Sequence, residues 1–168
     1  MNPTKSKKAE NAALKVEIIS YLPHLAPWFK LINLEWLNQY YEVTQEDLEI
    51  LESPERIIQS GGQILFALVD EQIVGTAALL RIDTDTVELI KMGVSSGMQG
   101  KGIGQALMEG IITASKNMHA KTIKLETATP LIAAISLYQK FGFVQTSGEE
   151  VHPVFKRITF KMKKKLGE

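Results

Sequence analysis

A glycine-rich loop at residues 99–104 is the part of this sequence whose residue types indicate chemistry most directly. It reads Gln-Gly-Lys-Gly-Ile-Gly. Because glycine has no Cβ, three glycines at alternate positions let the backbone bend tightly and turn several N–H groups toward one point. The loop follows a predicted strand and opens a predicted helix, whose first amides are unpaired and carry the positive end of the helix dipole. These features predict a site for a phosphate or pyrophosphate group.

Two common phosphate-binding loops do not fit this segment. A Walker A loop requires glycine where Ser95 stands and Ser or Thr where Gly102 stands. A dinucleotide fingerprint fails in both possible registers, because Gln105 and Leu107 stand where Gly or Ala is required. Glu126 nevertheless lies at about the distance expected for a ribose-binding acid. A dinucleotide oxidoreductase therefore stays as an alternative, to be tested by whether NAD stabilises the protein.

The hydrophobic pattern predicts the elements that position the loop. β-Branched residues predict a first strand at residues 15–20, and apolar residues at helical spacing predict helices at 24–41, after the Thr44–Asp47 cap and after Pro54. Three antiparallel strands (63–69, 72–82 and 86–94) lead into the loop. A helix then begins at Ile103 and is followed by a strand parallel to the one before the loop. That strand is predicted at 122–127, a further helix at 131–141, and two last strands at 143–146 and 154–162.

The loop and a second segment resemble the GNAT acetyltransferase superfamily. The coenzyme A loop of that family has Gln or Arg, two residues, Gly, one residue, then Gly or Ala, a pattern that Gln99, Gly102 and Gly104 match. Residues 134–143, Ala-Ile-Ser-Leu-Tyr-Gln-Lys-Phe-Gly-Phe, are similar to the helix-to-strand segment of the family. The resemblance implies an α/β (α+β) fold with a mixed, mostly antiparallel sheet of about seven strands flanked by helices. It implies one N-acetyltransferase domain at residues 13–168, and the general behaviour of chain termini predicts a flexible tail at 1–12.

The resemblance also implies an activity, the transfer of an acetyl group from acetyl-CoA to a primary amine by direct attack. Tyr138 matches the tyrosine with which the family donates a proton to the departing coenzyme A thiolate. Glu88 occupies a region where related enzymes often place a carboxylate that acts as base. Glu126 and Glu35 are weaker candidates for the base. The alternative function is a non-catalytic acyl-CoA-binding or regulatory module.

The regularity of the strand before the loop determines which residues share a face of the sheet with Glu88. In a regular strand Glu88 shares one face with Ile90, Met92 and Val94, whereas a bulge would change that facing.

Two segments are implied to bind the cofactor. The backbone of Met92, Gly93 and Val94 would run beside the pantetheine arm, and one of its N–H groups would polarise the thioester carbonyl. The pyrophosphate would lie on the amides of the loop residues, which are Gln99, Gly100, Lys101, Gly102, Ile103 and Gly104. The Lys101 side chain either reaches a phosphate or stays in solvent. Many relatives have an Asn near the start of the helix that carries the tyrosine, but this chain has Leu131 and Ile132 there.

The predicted acceptor is an amine of a small molecule or peptide, and its pocket is expected to draw on the first helices. Five aromatic residues there either line that pocket or lie in the core: Trp28, Phe29, Trp36, Tyr40 and Tyr41. The three histidines show no metal-ligand spacing, so no metal is expected.

Composition limits the other classes of function. A chain of 168 residues that is 45% hydrophobic and 23% charged is typical of one globular domain. The net charge of +0 gives no reason to expect a nucleic-acid partner, and the absence of cysteine excludes zinc–thiolate sites and cysteine nucleophiles. Residues 1–11 do not resemble a secretory signal, and no apolar run is long enough to cross a membrane. We therefore expect a cytoplasmic protein, and the resemblance adds a possible homodimer.

Overall fold

A mixed β-sheet organises residues 14–167, the part of the chain that the computed structural model describes. Its strands are β1 (Glu17–Ser20), β2 (Gln63–Val69), β3 (Gln72–Arg81), β4 (Thr86–Val94), β5 (Thr122–Thr127), β6 (Val144–Gln145), β7 (Glu150–Val151) and β8 (Ile158–Lys165). Their spatial order is β1-β2-β3-β4-β5-β8-β6, and β7 pairs with β8. Among these described strands only β4 and β5 are parallel, and every other pair is antiparallel. The predicted fold class is confirmed.

Five α-helices flank the sheet, and short local signals begin or end them. They are α1 (Ala26–Tyr40), α2 (Gln45–Glu52), α3 (Glu55–Gln59), α4 (Ile103–Asn117) and α5 (Ile132–Lys140). The predicted cap is present, because Thr44 and Asp47 exchange side-chain and backbone hydrogen bonds at the start of α2. Gly61, with φ of 88°, provides the stop after α3. None of the described helices is both long and apolar enough to span a bilayer.

Two apolar clusters hold the sheet, one on each face. Helix α4 buries Leu107, Met108 and Ile111 completely against one face. Helix α1 buries Phe29 and Leu37 completely against the other face. Because β3 and β4 are packed on both faces, they hold the residues at their ends in fixed positions.

A bulge in β4 changes which side chains face each side of the sheet. It lies at Lys91, where φ is 48° and where the pairing with β3 shifts by one residue. Ile90, before the bulge, packs with the α1-side cluster, whereas Met92 and Val94, after it, pack with the α4-side cluster. A regular strand would have placed Met92 and Val94 on the face of Glu88. The bulge, which is the alternative to a regular strand, thus changes the facing of these two residues.

The last strand begins later than its apolar pattern predicts. Residues 152–157 form the tip of a hairpin between β7 and β8 instead of the start of a strand. The tip turns because the ring nitrogen Nδ1 of His152 accepts hydrogen bonds from the amides of Val154 and Phe155, at 3.1 and 3.2 Å. The backbone of Lys156, with φ of 58°, completes the turn. The tail predicted for residues 1–12 lies outside the described residues.

Candidate active site

A cleft opens where β4 and β5 stop pairing. The last pair in their parallel register joins Leu89 and Leu125. Beyond it β4 continues through the bulge to Val94, while β5 ends at Thr127. Within the described residues, Lys91 and Met92 pair with neither β3 nor β5. A stretch of β4 backbone is therefore available to a ligand between the two strands.

The first part of this opening, which we call the loop cleft, has a volume of about 460 Å³. It extends from the glycine loop along β4 to helix α5. Of the residues predicted to bind a cofactor, it is lined by Met92, Gly93, Val94, Gln99, Gly100, Gly102, Ile103 and Gly104. The predicted residue that does not line it is Lys101, which is exposed at the tip of the loop.

The glycine loop presents unpaired amides to this cleft. Gly100 and Gly102 have φ of 73° and 84°, values that other residues rarely adopt. A Cβ built on either glycine would meet no atom within 4 Å, so the space above the loop is open. Gly102 caps α4, whose first hydrogen bond runs from the Ala106 amide to the Gly102 carbonyl. The amides of residues 103–105 thus have no acceptor within the helix and can donate to an anion.

Tyr138 lies at the far end of the loop cleft, on α5. Its side chain is buried against Phe143, with the two ring centroids 5.8 Å apart. Helix α5 approaches the start of α4 closely, since a Cβ on Gly104 would lie 3.3 Å from Leu137. Burial raises the pKa of the Tyr138 phenol to about 12. The phenol therefore keeps its proton throughout the neutral range.

Trp36 forms a wall that both parts of the opening share. Its indole Nε1 donates to Asn33 Oδ1 at 2.9 Å, and Asn33 in turn donates to the Phe29 carbonyl at 2.8 Å. A Cβ on Gly93 would lie 2.6 Å from the indole, so only glycine permits this contact with β4. Sequence spacing did not separate wall residues from core residues. Trp36 and Tyr41 line the pocket described next, Tyr40 lines the loop cleft, Phe29 is core and Trp28 is 43% exposed.

The second part of the opening, which we call the charged pocket, measures about 350 Å³. Glu88 and Glu126 reach it from β4 and β5, and residues of the β7–β8 hairpin tip cover it. It shares Lys91, Glu126 and Thr127 with the loop cleft. The two spaces therefore meet where the strands separate.

Two carboxylates lie at the strand end of the charged pocket. Glu88 is 3.6 Å from Lys124, whereas Glu126 is 3.0 Å from His152 Nε2 and accepts from Thr159 at 3.3 Å. Burial raises the pKa of Glu88, and the Lys124 ammonium opposes that shift only in part. Glu88 is thus the carboxylate with fewer hydrogen-bonding partners.

Glu35 lies elsewhere, where its carboxylate accepts a hydrogen bond from the Ser96 amide in the short turn after β4. It lines neither the loop cleft nor the charged pocket.

A buried ion cluster contributes two cations, Lys91 and Arg157, to the lining of the charged pocket. Asp47 is fully buried and binds Lys91 at 2.6 Å and the Arg157 guanidinium, whose side chains are 7% and 13% exposed. Both cations also lie over the ring of Phe155. Burial alone would raise the pKa of Asp47, but hydrogen bonds from Lys91, Thr44 and Arg157 lower it overall.

The sequence does not indicate this cluster, because the spacing of Thr44 and Asp47 predicts only a helix cap. The capping box does not indicate the partners of Asp47, since Lys91 and Arg157 lie 44 and 110 positions after it in the chain.

Two buried hydroxyl groups have no hydrogen-bond partner within residues 14–167, those of Tyr41 and Thr127. Thr127 is 4% exposed and lines both the loop cleft and the charged pocket. A buried hydroxyl without a partner is costly, which favours a polar ligand at the junction. In the part of the chain that is described, no group of three or more His, Asp or Glu side chains could hold a metal ion.

Comparison with known proteins assigns a family to this arrangement. Residues 28–143 match the model of the acetyltransferase (GNAT) family. An uncharacterised N-acetyltransferase of Bacillus subtilis is 33% identical over 101 residues, which are 58% of this chain and 65% of that protein. The N-acetylaspartate synthetase of Rattus norvegicus is 32% identical over 101 residues, which are 60% of this chain and 33% of that protein. The matches thus span less than two thirds of these relatives.

Solved structures share the whole fold. An acetyltransferase of the GNAT family from Staphylococcus aureus superposes with a TM-score of 0.78 at 25% identity, covering 91% of this chain and 100% of that chain. A structure from Salmonella typhimurium that contains its cofactor acetyl-CoA superposes with a TM-score of 0.75 at 19% identity, covering 91% of this chain and 95% of that chain. At that identity the second comparison concerns the fold alone.

Proposed function

Because the chain belongs to the GNAT acetyltransferase family, we propose that it transfers the acetyl group of acetyl-CoA to a primary amine of a small molecule or peptide. The observation that carries this proposal is the junction of the two spaces. A helix start with free amides opens into the loop cleft, the half-buried carboxylate of Glu88 faces the charged pocket, and both spaces meet at Lys91, Glu126 and Thr127. Direct transfer between two substrates requires two such sites in contact.

The residues of the loop cleft suit coenzyme A. The unpaired amides after Gly102 and the open space above the loop suit a pyrophosphate. The unpaired β4 backbone at Lys91 and Met92 can form hydrogen bonds with a pantetheine arm, and the Thr127 hydroxyl needs a polar partner at the junction. Bound acetyl-CoA supplies the acetyl thioester. A β4 N–H group donates to the thioester carbonyl oxygen and stabilises the negative charge that develops there.

Glu88 is the proposed base. An amine acceptor enters as an ammonium ion and must lose a proton before it can attack. Burial raises the pKa of Glu88, which makes its carboxylate a stronger base than an exposed glutamate. Glu126 is less suited to this role, because His152 and Thr159 already occupy its carboxylate.

Tyr138 is the proposed proton donor to the departing thiolate. With a pKa of about 12, its phenol is a weaker acid than a thiol, whose ordinary pKa is about 8.5. The Tyr138 O–H therefore first donates a hydrogen bond to the sulfur, and this bond strengthens as negative charge grows on the sulfur. No residue forms a covalent bond to the acetyl group in this scheme.

Calorimetric titration with acetyl-CoA, followed by a screen that detects free coenzyme A, tests the proposal. The screen covers amines, amino acids, polyamines and peptides. We expect binding and acceptor-dependent release of coenzyme A. Binding without release for any acceptor would favour the non-catalytic acyl-CoA module, and stabilisation by NAD where coenzyme A has no effect would revive a dinucleotide enzyme. Sedimentation velocity on the same sample tests the predicted homodimer.

A further inference from the structure

The ion cluster beside the charged pocket has one positive charge more than it needs for its own neutrality. Two cations, Lys91 and Arg157, share one carboxylate, that of Asp47. All three side chains are at least 87% shielded from solvent, and a buried net charge is costly unless it has a counter-ion. Both cations line the charged pocket, so the missing counter-charge can be supplied there.

The cluster also has more hydrogen-bond donors than acceptors. Asp47 accepts from Lys91 through one oxygen and from Arg157 and Thr44 through the other, which uses the acceptor capacity of its carboxylate. Within residues 14–167, Arg157 and Lys91 each donate to no other protein group. The buried hydroxyl of Tyr41 also lacks a partner there, and the Tyr41 ring lies 4.7 Å from the guanidinium. Several donors and one positive charge therefore border the same space.

The same pocket is also lined by groups of the complementary charge. The carboxylates of Glu88 and Glu126 face one cation, Lys124, together with His152. The ring of His152 lies 4.8 Å from that of Phe155, over which both cations of the cluster lie. One pocket is thus lined by a negative and a positive group of side chains.

We propose that the acceptor is a small amine that carries a carboxylate, such as an amino acid, and that Arg157 and Lys91 bind this carboxylate. The ammonium of the acceptor then faces Glu88, in a pocket that joins the loop cleft at Glu126 and Thr127. Arg157 suits this role because a guanidinium can donate two parallel hydrogen bonds to a carboxylate. A volume of about 350 Å³ suits a small molecule. This inference rests on the proposed acetyl transfer, since it names the substrate class of that reaction.

Matched pairs of acceptors test the carboxylate site. Each amino acid of a panel is compared with its own carboxamide, which keeps the amine and lacks the negative charge, at saturating acetyl-CoA. We expect kcat/KM for the acid to exceed that for the amide by roughly 10- to 100-fold, the range of hydrogen bonds to charged groups. Equal or faster use of the amides would overturn the carboxylate site while leaving acetyl transfer intact.

Substitution of Arg157 separates recognition from structure. We expect Arg157→Gln to reduce the acid-to-amide ratio to near one, and Arg157→Lys to retain part of it because the charge remains. The matched control is Arg56→Gln, which changes an exposed arginine on α3 and should leave the ratio unchanged. If Arg157→Gln slowed both acceptors by the same factor and preserved the ratio, Arg157 would be structural and the proposal would be wrong.

A readout without turnover keeps this test separate from the proposed reaction. The melting temperature of the coenzyme A-bound protein is measured with each amino acid and with its amide. Stabilisation by the acid that Arg157→Gln removes would support the carboxylate site even if no amine were acetylated, an outcome in which the proposed function alone fails. Equal effects of acid and amide in the wild-type protein would overturn the carboxylate site.

Discussion

The loop cleft and the charged pocket meet at one junction, yet they are built in opposite ways. The loop cleft relies on backbone: glycines with positive φ, the start of α4 and an unpaired stretch of β4. The charged pocket relies on side chains that four distant parts of the chain contribute, namely α1, α2, the β4–β5 strand ends and the hairpin tip. The contrast teaches that the proposed cofactor site is set by local conformation and the proposed acceptor site by tertiary packing of charges.

The largest expected effect is the loss of stability when the buried ion cluster of the charged pocket is broken. Asp47→Asn leaves two buried cations without a carboxylate, and we expect a loss of about 3 to 5 kcal/mol in the free energy of unfolding. Urea denaturation measures this loss. The control is Glu52→Gln, which breaks a surface ion pair with Lys30 and should cost less than about 1 kcal/mol. Similar losses in both variants would show that the buried cluster is no more important than a surface pair.

The second effect concerns Tyr138, the proposed proton donor of the loop cleft. Tyr138→Phe keeps the ring against Phe143 and removes only the hydroxyl, so we expect kcat to fall by about 100-fold or more. The dissociation constant for acetyl-CoA, measured by calorimetry, should change by less than about threefold, or roughly 0.7 kcal/mol. An unchanged kcat would remove Tyr138 from the mechanism.

A smaller effect is expected from the backbone of the glycine loop. Gly102→Ala meets no neighbouring atom, but its φ of 84° costs an L-residue about 1 to 2 kcal/mol, and the new methyl group intrudes on the space above the amides. We expect acetyl-CoA to bind roughly tenfold more weakly. Gly97→Ala is the control, since Gly97 is equally open but does not have a positive φ. Equal binding by both variants would contradict the proposed pyrophosphate site.

The smallest expected effect is a shift in pH dependence. Glu88 must be ionised to act as base, and burial raises its pKa above the ordinary value of 4.5, so activity should fall with decreasing pH below that raised pKa. Lys124 lowers the pKa of Glu88, so Lys124→Gln should move this acid limb to higher pH. Lys121→Gln, which alters an exposed ion pair with Asp85, should leave it in place. A shift in the opposite direction for Lys124→Gln would exclude Glu88 as the base.

The same contrast explains how much the sequence revealed. Periodicity and turn residues are local, so the strands β2 to β5, helix α4 and the glycine loop could be predicted closely, and the resemblance then identified Tyr138. The ion cluster could not be predicted, because Asp47 and Arg157 are 110 positions apart and nothing local links them. Glu88 was a candidate by position alone, and its burial became visible only in the folded chain. The aromatic residues of α1 gave no local sign of which ring would face a pocket.

The bulge at Lys91 also shifts the alternation of inward and outward side chains along β4 by one residue. On one side of it the odd positions Val87 and Leu89 face α4, and on the other side the even positions Met92 and Val94 do so. A single inserted residue thus lets one strand direct Glu88 and Lys91 toward the charged pocket and Met92 away from it. Deletion of one codon here would restore strict alternation and exchange the faces of all residues beyond it. The number of residues in β4, as much as their identity, therefore determines which side chains line each of the two pockets.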